Sequence, residues 1–224
     1  MPDVMVDGGL RVHPSAVIGY PTARHCANGR DLVIGPDAEV RSGSAIYLGS
    51  RIGARFQTGH NVVIREECTI ADDVSVWSNT VIDYGCTIGN RVKIHSNCYV
   101  AQFTEIEDDA FLAPGVSIAN DLYPGQAASA RVMSGPWIGS GAQIGVNVTL
   151  LPFVRIGVGS LIGAGAVVVF DIPDHCVAFG NPAVVRGRVG DLTSIEQRVE
   201  AVTNSASRFR RSSWPRTAAG LRER

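Results

Sequence analysis

"IREECTIADDVSVWSNTVIDYGCTIGNRVKIHSNCYV", residues 64–100, places an aliphatic side chain at every sixth position: Ile64, Ile70, Val76, Ile82, Ile88, Ile94 and Val100. A period of six suits neither an α-helix at 3.6 residues nor a plain strand at 2. It suits a short strand and a turn, repeated, with three such units closing one coil of a parallel β-helix.

Outward from this stretch the beat runs back through Thr58, Ile52, Ile46 and Val40 to Ile34, and forward through Ile106 and Leu112 to Ile118. Fourteen of those fifteen positions are aliphatic, Thr58 being the exception. The beat resumes with Ile138, Ile144, Leu150, Ile156, Ile162 and Val168. An earlier fragment, Val12 and Ile18, precedes a short insertion at residues 20–33. Three residues after each aliphatic one, Gly, Asn or Asp predominates, as at Asp37, Gly43, Asn61, Asp73, Asn79, Gly85, Asn97, Asp109, Gly141 and Asn147. These residues tolerate the positive φ that a tight corner demands. The next position is mostly small or β-branched, as at Ala38, Ser44, Cys68, Thr80, Cys86, Cys98 and Ala142. Such side chains fill a narrow interior near a corner. Cys68, Cys86 and Cys98 are therefore expected to be inert core thiols, and Asn61, Asn79 and Asn97 a structural ladder.

Composition narrows the function. The chain has 224 residues, 45% hydrophobic and only 18% charged, with a formal net charge of −1. Nucleic-acid and membrane partners are not expected, because either usually needs a basic stripe or polybasic run. No stretch approaches the roughly 18 unbroken apolar residues of a membrane span. The start, MPDVMVDGGL, lacks the features of a signal peptide, so a cytoplasmic location is expected. Five cysteines, none in a CxxC pair, argue against a disulfide framework or a zinc ribbon.

The pattern resembles the left-handed β-helix acyltransferases, the hexapeptide-repeat family, over about residues 10 to 190. Its most specific part is "IGAGAVVVFDIPDHCVAFGNPAVVRGRV", similar to the family's last coil and its Gly-Asn-Pro-Ala signature, here Gly180 to Ala183. The resemblance implies an all-β, left-handed parallel β-helix over residues 1–189, with one loop extruded at 120–137. It also implies a homotrimer with clefts between subunits. Residues 190–224 are expected to hold a short helix, "DLTSIEQRVEAV", with Ile195, Val199 and Val202 on one face, and then a loose basic tail.

With eighteen residues per coil, residues eighteen apart stack at roughly 4.8 Å. Glu66, Tyr84, Gln102 and Asn120 therefore share one edge of the prism, and Asp121 follows where the chain leaves the coil for LYPGQAASARVMSGP. Loops held by a rigid scaffold commonly carry function, although Asn and Asp also simply favour turns. The resemblance implies that the family's reactive group lies here. The branch acting on sugar hydroxyls has a histidine where this chain has Asp121, and the branch acylating amino groups of nucleotide-linked sugars has Asn-Asp or a similar pair. This chain departs from that second branch at Gly125, after Pro124, and at Gln102, where an acid is common.

A hydroxyl needs a base of near-neutral pKa, whereas an amine is nucleophilic once it loses one proton. The expectation is that Asp121 positions and deprotonates an amine, that Asn120 steadies it or the developing oxyanion, and that Glu66, Tyr84 and Gln102 contact the substrate. The substrate class expected is an amino sugar, nucleotide-linked by resemblance. The acyl donor implied is acetyl-CoA, its arm lying along Gly139, Ala142, Gly163 and Ala164, with Arg186 and Arg188 near its phosphates. No metal is expected. His60, in "TGHNVVIREE", is the competing base in a sugar O-acetyltransferase; His95 lies beside Trp77 and reads as surface packing. A γ-carbonic anhydrase would need a close histidine pair, and position 100 is Val. A non-catalytic β-helix would explain the beat but neither the interruption nor the polar column.

Overall fold

The computed structural model describes residues 4–6, 8–23 and 31–192. Strands two to five residues long stack with partners eighteen positions on: Val63 pairs with Val81 and Val81 with Tyr99, Thr69 with Thr87, and Ser75 with Lys93. Three parallel sheets result, here called A, B and C in the order the chain visits them, of eight, ten and eight strands. Successive turns form three edges, A–B, B–C and C–A. The chain divides at Val189/Gly190, and the coil fills the first part. The expected C-terminal helix and basic tail lie outside the described residues, as does much of the 20–33 insertion with its Cys26. Among the described residues no helix is long and apolar enough to cross a membrane.

The beat residues fill the interior. Ile34, Ile46, Ile64, Ile82, Ile94, Leu112, Ile138 and Ile144 are all buried in one continuous core. Thr58 is buried too, and its hydroxyl accepts the backbone N–H of Arg41 at 2.9 Å, so the one polar beat is satisfied. The expected Gly, Asn and Asp corners do adopt positive φ. Arg55, Glu67, Arg91, Phe103 and Phe153 occupy the same slot with φ of 56° to 67°. Closing the coil imposes that conformation whatever the side chain, and the tertiary stack carries the local strain. On the A–B edge the stack adds a ladder of alternating charge: Asp37, Arg55, Asp73, Arg91 and Asp109. Arg55 grips Asp73 at 2.6 Å and Arg91 grips Asp109 at 2.7 Å. Asn61 likewise donates to Asn79 at 3.2 Å, one rung of the expected ladder.

Outer faces differ in character. Sheet A shows Arg51, Glu105 and Arg155 and sheet B shows Glu39 and Lys93, whereas the outer column of sheet C is Ala45, Val63, Val81, Tyr99, Ser117, Thr149 and Val167. That column carries no charge.

Cys68, Cys86, Cys98 and Cys176 are free and buried. The first three point inward and their thiols reach backbone carbonyls at 3.1 to 3.3 Å. Hydrogen bonding with Cys68 and burial push the Cys86 thiol well above its ordinary value, and burial pushes Cys98 up. Such thiols make poor nucleophiles. Iodoacetamide should therefore leave all four unmodified in the native protein and alkylate them after denaturation, as peptide mapping by mass spectrometry would record. Native labelling of Cys86 or Cys98 would contradict their inward placement.

Candidate functional site

The coil opens at one point. Glu105 of sheet A pairs with Trp137, thirty-two residues on instead of eighteen, so fourteen extra residues leave and re-enter at the C–A edge. The neck is tight. Ser134 N–H donates to the Asn120 carbonyl at 3.1 Å. A Cβ on Gly135 would collide with Thr104 Oγ1 and stand 2.6 Å from the Thr104 Cα. Inside the loop, Asp121 Oδ1 accepts the Tyr123 N–H at 2.8 Å and the hydroxyl of Ser129, a buried residue in the short 3-10 turn Ser129–Arg131. One carboxylate oxygen is thus spent on turning the chain. The other, Oδ2, takes no hydrogen bond among the described residues.

The polar column forms, with a different internal logic from the one expected. Asn120 Nδ2 donates to Gln102 Oε1 at 2.6 Å and approaches Met133 Sδ at 3.5 Å. Gln102 Nε2 donates to Asp83 Oδ2 at 2.5 Å. Asp83, only 6% exposed, also accepts the Tyr99 hydroxyl at 2.8 Å and the Tyr84 N–H at 2.8 Å, with Arg65 Nη1 at 3.6 Å. Arg65 in turn clasps Glu66 through two bonds of 2.8 and 3.0 Å and lies 5.0 Å over the Tyr47 ring. Desolvation and the Asp83 bond push the Tyr99 phenol up to about 12, so it stays a donor.

Three expectations change. Glu66 is 0% exposed and its carboxylate is clasped by Arg65, so it cannot touch a substrate. Tyr84 keeps its place, but its ring sits edge-on against Phe103 with centroids 5.3 Å apart. Asn120 gives its NH2 to Gln102 of the column and Met133 of the loop, which leaves its carbonyl oxygen as the atom without a hydrogen bond among the described residues; such an oxygen suits an N–H donor and not an oxyanion. Asp83, Arg65 and Tyr99 were missed from sequence. The available signal was the column Tyr47, Arg65, Asp83, Ala101, Ala119, one position before the one followed, where an acid stands directly between Arg65 and an alanine.

The other candidates sit on other edges. His60 lies on the B–C edge, exposed, its Nδ1 2.7 Å from Ser42 Oγ and its backbone N–H on Ser78 Oγ at 2.9 Å. Gly163 and Ala164 lie on that same edge several coils further on, with Ala164 exposed. Gly139 and Ala142 lie on the A–B edge and are buried, Ala142 completely. The Ala142 N–H bonds the Gly139 carbonyl at 3.1 Å and its own carbonyl accepts Phe111 N–H at 2.9 Å, so neither is available to an acyl carrier. Arg186 and Arg188 lie exposed on the antiparallel strand Val184–Arg188 that ends sheet B, with Arg186 5.7 Å over Phe179. Of the four small residues expected along an acyl carrier, Ala164 is exposed and Gly163 half-buried, whereas Gly139 and Ala142 are buried. His95 stacks on Trp77 at 4.2 Å, as surface packing. Beside the loop neck, Phe103, Glu105, Pro136, Trp137 and Arg155 line a groove of about 220 Å³, with Arg155 4.0 Å over the Trp137 ring.

Residues 85–120 match the family model "Bacterial transferase hexapeptide (six repeats)". Those residues thus match the hexapeptide repeat, and the match ends on Asn120, where the coil opens. Among curated proteins, the chain is 47% identical over 55 residues to galactoside O-acetyltransferase of Lactococcus lactis, covering 25% of this chain and 27% of that protein. It is 38% identical over 78 residues to serine acetyltransferase 2 of Arabidopsis thaliana, covering 35% of this chain and 24% of that one. The chain therefore spans about a quarter of the length of these relatives. Among solved structures, the polySia-specific acetyltransferase NeuO superposes with a TM-score of 0.50 at 20% identity, covering 92% of this chain and 91% of the other. That likeness establishes the fold, a left-handed parallel β-helix of the hexapeptide-repeat type.

Proposed function

We propose that this protein is an acyl-CoA-dependent acyltransferase that acylates the amino group of an amino sugar, with a nucleotide-linked sugar as the expected form. The observation that carries the reading is the chemistry of the loop exit. Two adjacent residues, Asn120 and Asp121, each keep one oxygen acceptor clear of the hydrogen bonds that build the loop. A pair of acceptors suits an incoming ammonium. Among the described residues no histidine joins the network. The acetyltransferase names of the relatives support acyl transfer in general and leave the acceptor open.

A coenzyme A thioester would supply the acyl carbon and depart as the thiol. Asp121 Oδ2 holds the ammonium and takes one of its protons, freeing the nitrogen lone pair. Asn120 Oδ1 accepts a second N–H and fixes the direction of attack. As the new C–N bond forms and the C–S bond breaks, the remaining proton lost by nitrogen goes to the departing sulfur. A homotrimer is part of this reading: packing through the uncharged outer column of sheet C would set edges of neighbouring copies face to face. The reading predicts that thiol release from acetyl-CoA is faster with amino sugars than with sugars bearing only hydroxyls. Equal or reversed preference would overturn it.

One observation favours a second reading, a sugar O-acetyltransferase. His60 shares its edge with Gly163 and the exposed Ala164, and with Nδ1–H donating to Ser42 Oγ its Nε2 is the basic nitrogen.

A further inference from the structure

The hydrogen bonds between Asp83 and Asn120 have a direction, and that direction is set at the buried end. A carboxylate only accepts. Among the described residues Asp83 meets donors on every side: the Tyr99 hydroxyl, the Tyr84 N–H, the Arg65 guanidinium and the Gln102 amide. Gln102 must therefore turn its NH2 toward Asp83, which leaves its oxygen facing Asn120. Asn120 must then turn its own NH2 toward Gln102, at 2.6 Å. Rotating both amides together would set Gln102 oxygen against Asp83 oxygen at 2.5 Å, an unpaired buried contact that hydrogen-bonding rules exclude. Asn120 is left with an oxygen to present, whatever its intrinsic preference. The Arg65–Glu66 clasp holds a charged donor beside the carboxylate that starts the chain.

We infer that Asp83 is a positioning residue that sets acceptor specificity: acting through Gln102, it commits Asn120 to present a carbonyl oxygen and so biases the loop exit toward N–H donors. The inference rests on the amine-acylating reading for its functional consequence. Its structural half, the amide polarity, stands on the geometry alone.

Two substitutions test it. Asp83→Asn keeps size but gives position 83 a donor as well as an acceptor, so Gln102 and Asn120 can rotate. The double variant Asp83→Asn/Gln102→Glu moves the acceptor-only group one link along. The new amide at position 83 then donates to the new carboxylate at position 102. That carboxylate again accepts from the Asn120 amide, so the polarity at Asn120 returns. Side-chain amide NMR with hydrogen exchange reads this directly, without substrate. In the wild type the Asn120 NH2 should show one shifted, slowly exchanging proton; Asp83→Asn should lose that protection and the double variant should regain it. In turnover, Asp83→Asn should raise KM for an amino sugar about tenfold, the loss of roughly one oriented hydrogen bond, with kcat changed much less and the amine-to-hydroxyl preference reduced. The double variant should recover both.

An Asn120 signal unaffected by Asp83→Asn, or one that the double variant fails to restore, overturns the positioning role. Amide signals that behave as expected in an enzyme that takes no amine would instead overturn the amine reading and uphold the polarity. Altered amide signals with unaltered KM and preference would overturn the link to specificity.

Discussion

Asp121→Asn is expected to lower kcat/KM for an amino sugar by about 10² to 10⁴, the range for removing a general acid–base group. The structure makes this substitution unusually clean. The replacement amide would keep an oxygen where Asp121 Oδ1 now accepts Tyr123 N–H and the Ser129 hydroxyl, so the loop keeps its turn. Only the outward group changes, from an acceptor that takes a proton to an NH2 that does not. A loss of kcat with near-native thermal stability would therefore report chemistry and not a collapsed loop. His60→Ala, on the B–C edge, should cost less than about tenfold, since it would remove at most a binding contact. If His60→Ala alone abolishes turnover while Asp121→Asn does not, the O-acetyltransferase reading takes over.

The second large effect concerns stability. Removing Arg65 takes the countercharge from two buried carboxylates, Glu66 at 0% and Asp83 at 6% exposure. Breaking a buried pair by deleting one partner typically costs about 3 to 5 kcal/mol. Arg65 itself is 32% exposed, which favours the lower end. For a chain of this size, about 3 kcal/mol corresponds to a fall in Tm of roughly 6 to 12 °C. The pH dependence carries a sharper sign. In the native protein burial pushes the Glu66 carboxyl up, but the Arg65 bond with its further partners pulls it below the ordinary value of 4.5. A lowered carboxyl contributes stability above its unfolded pKa and loses it as pH falls through the folded value. Wild-type urea midpoints should therefore decline below about pH 4.5. Without Arg65, burial outweighs the hydrogen bonds that remain and the carboxyl rises, so the folded state binds the extra proton. Stability should then fall as pH rises from about 4.5 toward 7, the reverse of the wild type. Arg65→Ala/Glu66→Gln should regain most of the loss at pH 7. Urea denaturation of the three proteins across that range decides it; parallel curves for wild type and Arg65→Ala would overturn the reversal, and coincident curves would show that the clasp contributes nothing.

Legibility varied with how local the cause was. The inward beat from Ile34 to Val168 could be read because each hexad repeats one choice, an aliphatic residue whose burial drives its own strand inward. The small inner slot at Cys68, Cys86 and Cys98 could be read for the same reason. The corners were only half legible. Gly43 and Asn61 announce positive φ, but Arg55, Phe103 and Phe153 do not; the coil forces them there because their neighbours on both sides are already paired. The column Gln102–Asn120 followed from counting eighteen. Its partners did not, because Asp83 reaches it from the adjacent position, and side-chain direction there is fixed by which donors surround it. The reading of Glu66 as a substrate contact failed for the same reason: spacing located it on the edge, but burial and the bond to Arg65 are set by neighbours in three dimensions.

By itself the sequence determined a repeating coil, its eighteen-residue stack and the point where it opens, since all three are written in the period of apolar residues and need only burial to enforce them. The tertiary structure alone decided that His60, Ala142 and Asn120 stand on three separate edges, that one Asp121 oxygen is spent on the loop, and that Asn120 gives its amide hydrogens to Gln102 and Met133. Hydrogen-bond direction depends on which groups meet in three dimensions, and a one-dimensional period carries no record of that meeting.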